Sequence, residues 1–256
     1  MLWITEQNLW IAGASTLFLM IFHYLSPWLN NNLPEHGQAL ASFAGGTAIA
    51  YVFLHMLPNL VEYNRPIGNL LLQNKWLNPF TELMIYIVAL IGFLIYYGFD
   101  SLAERYSNTP DHNNILVYGL HLGMFCLYNF LITYTMSLRA RSSLTATTLF
   151  TFAMALHFIL TDRKFCRLYP IKFYRLGRFI LMSALLFGWL VSVIFDPVNV
   201  LATAFMVAFL AGSVLLNVFR EELPATKGTC YGWFILGTLI IMLILLLQTW
   251  FMVPRP

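Results

Sequence analysis

The chain has 256 residues, of which 59% are hydrophobic, 16% aromatic and only 10% charged, and its formal net charge is +3. A soluble domain carries roughly a quarter charged residues, because water must solvate its surface. These proportions exclude a soluble enzyme domain and point to a chain whose solvent is hydrocarbon.

In chain order, stretches free of Asp, Glu, Lys and Arg place transmembrane helices at 9–29, 39–61, 80–99, 115–136, 144–162, 179–195, 198–219 and 231–253, the third and fifth extended slightly beyond their charge-free runs. A hydrocarbon core of ~30 Å needs about 20 apolar residues at 1.5 Å of rise each, so eight crossings fit. Long runs of Leu, Ile, Phe and Ala without polar alternation argue for helices and against a β-barrel. The expected fold is therefore an all-α polytopic membrane protein with a single transmembrane domain over 1–256.

The first run has no Lys/Arg-rich region ahead of it and no small-residue cleavage site after it, so it reads as a retained helix. Pro27, Pro58, Pro197 and Pro224 fall at or near the ends of runs, where they are expected to mark boundaries. Cys126, Cys166 and Cys230 have no paired spacing and are expected to be packing thiols.

With eight crossings, the tails and even-numbered connections hold Arg65, Lys75, Arg139, Arg141 and Arg255. The odd-numbered connections hold Arg105, Arg163, Lys164, Arg167, Lys172, Arg175, Arg178, Arg220 and Lys227. The bias puts the second set in the cytoplasm and both termini outside a cell membrane. The basic run 163–178 is expected to be a connection that sets topology and meets anionic lipid. The lipid bilayer is the expected partner; a homodimer stays open, and no nucleic-acid partner is expected.

An internal repeat lies in the second and seventh helices. Phe43-Ala-Gly-Gly-Thr-Ala-Ile-Ala-Tyr-Val-Phe-Leu-His-Met-Leu-Pro58 aligns without gaps on Phe209-Leu-Ala-Gly-Ser-Val-Leu-Leu-Asn-Val-Phe-Arg-Glu-Glu-Leu-Pro224, with Phe, Gly, Val, Phe, Leu and Pro in register. Five crossings apart, the copies traverse the membrane in opposite directions, as in the inverted repeats from which many secondary transporters are built. The small residues Gly45, Gly46, Ala211 and Gly212 are expected to let helix backbones approach closely.

The segment from Phe43 to Pro58 resembles the second helix of the ZIP metal transporters, which often carries an Ala-Gly pair and ends in Phe-Leu-His-Leu-Leu-Pro-Glu; here Asn59 stands where the Glu would be. The resemblance implies eight helices, outside termini and related outer helix triplets. It also implies a metal site on the fourth and fifth helices, where the family carries approximately His-Asn-x-x-Asp-Gly and His-Glu-x-x-His-Glu. In the fourth, Tyr128-Asn129-Phe130-Leu131-Ile132-Thr133 keeps the Asn but replaces the His and the Asp. In the fifth, His157-Phe158-Ile159-Leu160-Thr161-Asp162 keeps the first His and a terminal carboxylate.

The candidate metal ligands are accordingly His157, Asn129 and Asp162, with His121 added because it shares a helix face with Phe125 and Asn129. Tyr128, Thr133 and Thr161 are candidate pathway groups that add oxygen donors. The set is depleted, because Ile132 and Phe158 stand where the family has acids. His23, His55 and Asn217 also fall within apolar stretches. Asp162 has two readings: a site carboxylate, or a solvated charge paired with Arg163 or Lys164. Arg220, Glu221 and Glu222 read as solvated helix-end charges, with a cytoplasmic gating cluster as the alternative.

Three functions follow: a ZIP-like transporter or facilitator of a divalent metal cation or another small solute, a transport-inactive ZIP-fold structural or interaction protein, and a haem protein ligated by His121 and His157. No nucleophile elbow, His-Glu-x-x-His or Gly-rich phosphate loop is present in the sequence, and enzyme chemistry is not expected. No resident cofactor is expected; a divalent metal such as zinc would be cargo.

Overall fold

The computed structural model describes residues 2–32, 37–62, 83–107, 115–195, 200–222 and 230–252. Every regular element among them is helical. The helices are α1 (Leu2–Asn32), α2 (Gly37–Tyr51, continuing through a π turn at Val52–Met56 to residue 62), α3 (Met84–Ser107) and α4 (Ile115–Ser142). They continue with α5 (Leu144–Leu168), α6 (Pro170–Ile194, with a π turn at Phe173–Gly177), α7 (Val200–Asn217, extended by a π turn at Val218–Glu222) and α8 (Tyr231–Met252). Seven are long and apolar enough to cross a bilayer, and α8 carries a shorter apolar stretch, Tyr231–Leu247. The chain is a multi-pass helical membrane protein.

The helices outrun their charge-free stretches, and this corrects the sequence reading at one place. The basic run 163–178 is not a connecting loop: α5 continues through Arg163, Lys164 and Arg167, Tyr169 alone is the joint, and Pro170 opens α6 in the first-turn position where its missing N–H costs nothing. A charge-free run measures the stretch that tolerates hydrocarbon, whereas the helix stops only where its backbone bonding stops. Long basic side chains reach past the apolar zone from within a helix. The joint between α4 and α5 is equally tight, with Ser143 Oγ accepting from Ala146 N at 3.2 Å as an N-cap.

Two prolines sit inside helices rather than at boundaries. Pro27 lies within α1, and its missing N–H leaves the carbonyl of His23 without its usual partner. Ser26 Oγ donates to that carbonyl at 2.8 Å instead, so the helix passes the proline with its backbone satisfied. Pro58 follows the π turn of α2 and is itself helical. Pro197 and Pro224 lie outside the described residues.

Close backbone approach holds the outer helices in pairs. A Cβ on Gly46 of α2 would overlap the Phe234 carbonyl of α8, and one on Gly237 would overlap the Phe43 carbonyl in return. The α3 and α7 pair repeats the arrangement, Gly92 against the Phe209 carbonyl and Gly212 against that of Ala89. In lipid, where apolar burial gives no drive for helices to associate, such contact is what holds a pair together. The remaining four helices pack α1 against α4, α5 and α6, and α4 against α6, so that α1, α4, α5 and α6 enclose a common interior. Large apolar side chains such as Leu90, Leu94, Leu243 and Trp250 point outward, as lipid contact requires.

Candidate functional site

The interior shared by α1, α4, α5 and α6 holds a buried polar chain. Asp162, near the last turn of α5, is fully buried. His23 of α1 approaches it with Nδ1 at 2.9 and 3.1 Å from the two carboxylate oxygens. On the far side of that imidazole, Asn129 of α4 sets its Nδ2 at 3.0 Å from His23 Nε2 and at 3.4 Å from the Leu181 carbonyl of α6. A carbonyl can only accept, so the Asn129 nitrogen faces it and also donates to Nε2. His23 therefore carries its proton on Nδ1 and donates to Asp162. One hydrogen-bonded line joins all four helices.

The backbone around Pro27 helps to aim this line. Ser26 and Pro27 follow His23 on α1, and the Ser26 hydroxyl fixes the His23 carbonyl while the ring stacks on Phe158 at 4.4 Å. Asn129 Oδ1 is buried, and no described group donates to it. Buried acceptors are rarely left in that state.

His157, also buried, sits one turn before Thr161, whose Oγ1 lies 3.4 Å from His157 Nε2. Its ring lies 5.4 Å from that of Tyr128, and the Tyr128 hydroxyl donates to Met154 Sδ at 3.6 Å. Tyr128, His157 and Thr161 thus form one contact group, which meets the Asn129–His23–Asp162 line through Phe158, against which both imidazoles lie. The reading of Asp162 as a solvated charge paired with Arg163 or Lys164 is corrected: it points into the bundle, to His23.

Two predicted residues lie elsewhere in function. The Thr133 hydroxyl donates to the Leu185 carbonyl at 2.8 Å, locking α4 onto α6 opposite Gly188, which is a packing role. His121 stands eight residues before Asn129, about 12 Å along the axis, and takes no part in the Asp162 line. Its Nε2 lies 3.1 Å from Asp100 Oδ1 and its Nδ1 3.2 Å from the Tyr169 hydroxyl. His121, expected to join Asn129 and His157 as a metal ligand, therefore belongs to a second site.

Asp100, missed in the sequence reading, organises the second site. Lys164 of α5 lies 3.4 Å from its Oδ1 and Arg220 of α7 2.5 Å from its Oδ2, so three basic groups from three helices converge on one α3 carboxylate. Burial and this carboxylate push the Tyr169 phenol up. The signal for Asp100 was available: it directly follows a charge-free run, and an alternating path puts it on the same side as Lys164 and Arg220. Arg220 is thereby an ion-pair partner rather than a merely solvated helix-end charge.

Away from Asp100, a shallow recess lies between α2, α4, α5 and α7, lined by Tyr51, Asn59, Arg139, Phe150 and Met154 among others. Arg139 lies over the Phe150 ring at 4.0 Å. His55 is partly buried at the π turn of α2, where Asn59 Nδ2 lies 3.1 Å from its Nε2, in keeping with an interfacial role. The three cysteines are free thiols. No protein-family model and no curated protein matches the chain.

Among the described residues no three His, Cys, Asp or Glu side chains gather as a metal site. What the hydrogen bonds join is one imidazole, one carboxylate and one amide, those of His23, Asp162 and Asn129. These are nitrogen and oxygen donors of the kind a borderline divalent cation accepts, with one negative charge to offset two positive ones.

Proposed function

We propose that the chain is a ZIP-like membrane transporter or facilitator that moves a divalent metal cation or another small solute past Asn129, His157 and Asp162, with His23 added to that group. The observation that carries this reading is a register match between α2 and α7. A shift of 166 residues lays Phe43 on Phe209 and Gly46 on Gly212, and the same shift lays the π turn Val52–Met56 on the π turn Val218–Glu222. It also lays Thr47 on Ser213, whose hydroxyls donate to the Phe43 and Phe209 carbonyls respectively. π turns are rare, and two at matching positions in aligned sequence support common local design over chance.

The helix packing supports the same reading. Exchanging α1 with α6, α2 with α7, α3 with α8 and α4 with α5 converts the α2–α8 contact into α7–α3, α1–α5 into α6–α4, and α2–α5 into α7–α4, all of which occur. An odd number of crossings separates the copies, so the symmetry relating them would be inverted. Inverted repeats place a substrate site where the halves meet, and here α4 and α5 are the exchanged pair that carries Asn129, His157 and Asp162. The Lys and Arg bias supports placing the Asp100 end of the bundle in the cytoplasm and both termini outside.

The test is flux of zinc, manganese and iron(II) into liposomes holding the purified protein, beside a His157→Ala, Asp162→Ala double variant. Saturable flux that the double variant loses is the expected result. Flux no greater than in empty liposomes for all three metals would reject metal transport.

The second reading, a transport-inactive ZIP-fold interaction protein, is favoured by one feature. The lone carboxylate of the buried group is already occupied by His23. It predicts no flux and a partner that co-purifies.

A further inference from the structure

The bundle is built differently at its two ends, and the difference lies on the line through the buried group. On α4 the order is His121, then Asn129, then Arg139; on α5 it is Lys164, then Asp162 and His157, then Phe150. The end bearing Arg139 and Phe150 holds the recess, whose wall includes Met154, the acceptor of the Tyr128 hydroxyl beside His157. The opposite end carries a smaller recess, lined by His121, Phe125, Lys164, Phe165, Leu168 and Tyr169. Tyr96 meets Phe125 edge-on at 5.7 Å, and Phe125 meets Phe165 at 5.1 Å, closing the space between α3, α4 and α5. Over that aromatic layer lies the Asp100 ion cluster.

We infer that Asp100, with His121, Lys164 and Arg220, is a clasp that closes one end of the transport path, and that the aromatic layer beneath it is the seal. This rests on the transport reading above and adds its gate. The four residues come from four helices, α3, α4, α5 and α7, and they bridge two packing units: the glycine-paired α3 and α7, and the α4 and α5 that carry the buried group. An ion cluster of this kind holds the units together only while it is intact. The two faces of α5 separate the roles, because Lys164 lies two residues, about 200° of turn, from Asp162. Asp100 can therefore release α5 without breaking the His23–Asp162 pair.

Cys166 reports the state of this seal. It is buried in the same apolar cluster as Tyr96, Phe125 and Phe165. The experiment measures maleimide labelling of Cys166 in nanodiscs, in a protein whose Cys126 and Cys230 are replaced by Ser. Asp100→Asn leaves three basic groups without their carboxylate and should raise the labelling rate roughly tenfold, within the range of ordinary coupling between two states. Asp100→Glu, which restores the charge, should label slowly. Arg220→Gln, which removes one basic partner and leaves the carboxylate paired to the others, provides a second reading if Asp100→Asn does not purify as a monodisperse species. Unchanged labelling in a monodisperse Asp100→Asn or Arg220→Gln protein, or equally fast labelling in Asp100→Glu, overturns the clasp. Labelling requires no flux, so a protein that moves no metal yet opens at Cys166 would keep the clasp and reject the transport reading alone.

Discussion

Asp162 and Asp100 are both carboxylates close to the ends of apolar runs, and the fold treats them in opposite ways. Asp162 is followed in sequence by Arg163 and Lys164, yet its partner is His23, 139 residues away, and its side chain is completely buried. Asp100 lies between Phe99 and Ser101, yet it collects three basic side chains, two of them 22% and 31% exposed. Sequence neighbours on a helix point in different directions, so local charge does not choose a partner; the helix face does. A buried pair with one imidazole is a tightly constrained arrangement, whereas a half-exposed cluster with three partners has reserve.

The largest effect should come from splitting the buried pair. His23→Leu removes the imidazole that pairs with the buried Asp162 carboxylate and should cost about 3–5 kcal/mol of stability, while the His23→Leu, Asp162→Leu double variant should recover most of that loss. Denaturant unfolding in micelles measures both. A single-variant cost under ~1 kcal/mol would mean that Asp162 is hydrated, and the contrast with Asp100 would disappear.

Next come the glycine contacts. Gly46→Ala and Gly212→Ala should each cost about 1–3 kcal/mol, because the methyl group must displace a facing carbonyl. Gly119→Ala, where nothing stands within 4 Å, should be neutral or slightly stabilising. Equal costs at Gly46 and Gly212 would sharpen the proposed equivalence of α2 and α7; a cost at only one would weaken it.

Asp100→Asn should cost less than splitting the buried pair, about 1–2 kcal/mol after allowance for solvent screening, and its cost should shrink in 0.5 M salt. The cost of His23→Leu should not change with salt. A common salt dependence would place both carboxylates in water. The smallest effect belongs to Thr133→Val, which removes one hydrogen bond to Leu185 and should cost about 1 kcal/mol without changing flux. A flux loss there would return Thr133 to the transport path.

Much was legible before any coordinates. The apolar runs predicted the helices, because a bilayer forbids unpaired backbone and forces each run into a helix. Gly46 and Gly212 were readable as close-approach sites, and the alternating path put Lys164 and Arg220 on one side. Asn129 and Asp162 were named together, and they lie on either side of one imidazole, that of His23. The partner of Asp162 was not readable, because His23 is on the first helix and nothing in its own segment points to α5.

Composition and the spacing of charge by themselves determined that this protein is solvated by lipid and built of membrane-spanning helices, since both follow from the energy of exposing a side chain or an amide to hydrocarbon. Only the tertiary structure decided that His121 belongs to Asp100 and His23 to Asp162. An imidazole has the same helix propensity and the same hydropathy whichever carboxylate it faces. The choice is made by how the helices rotate and cross, and that is a property of all of them packed together.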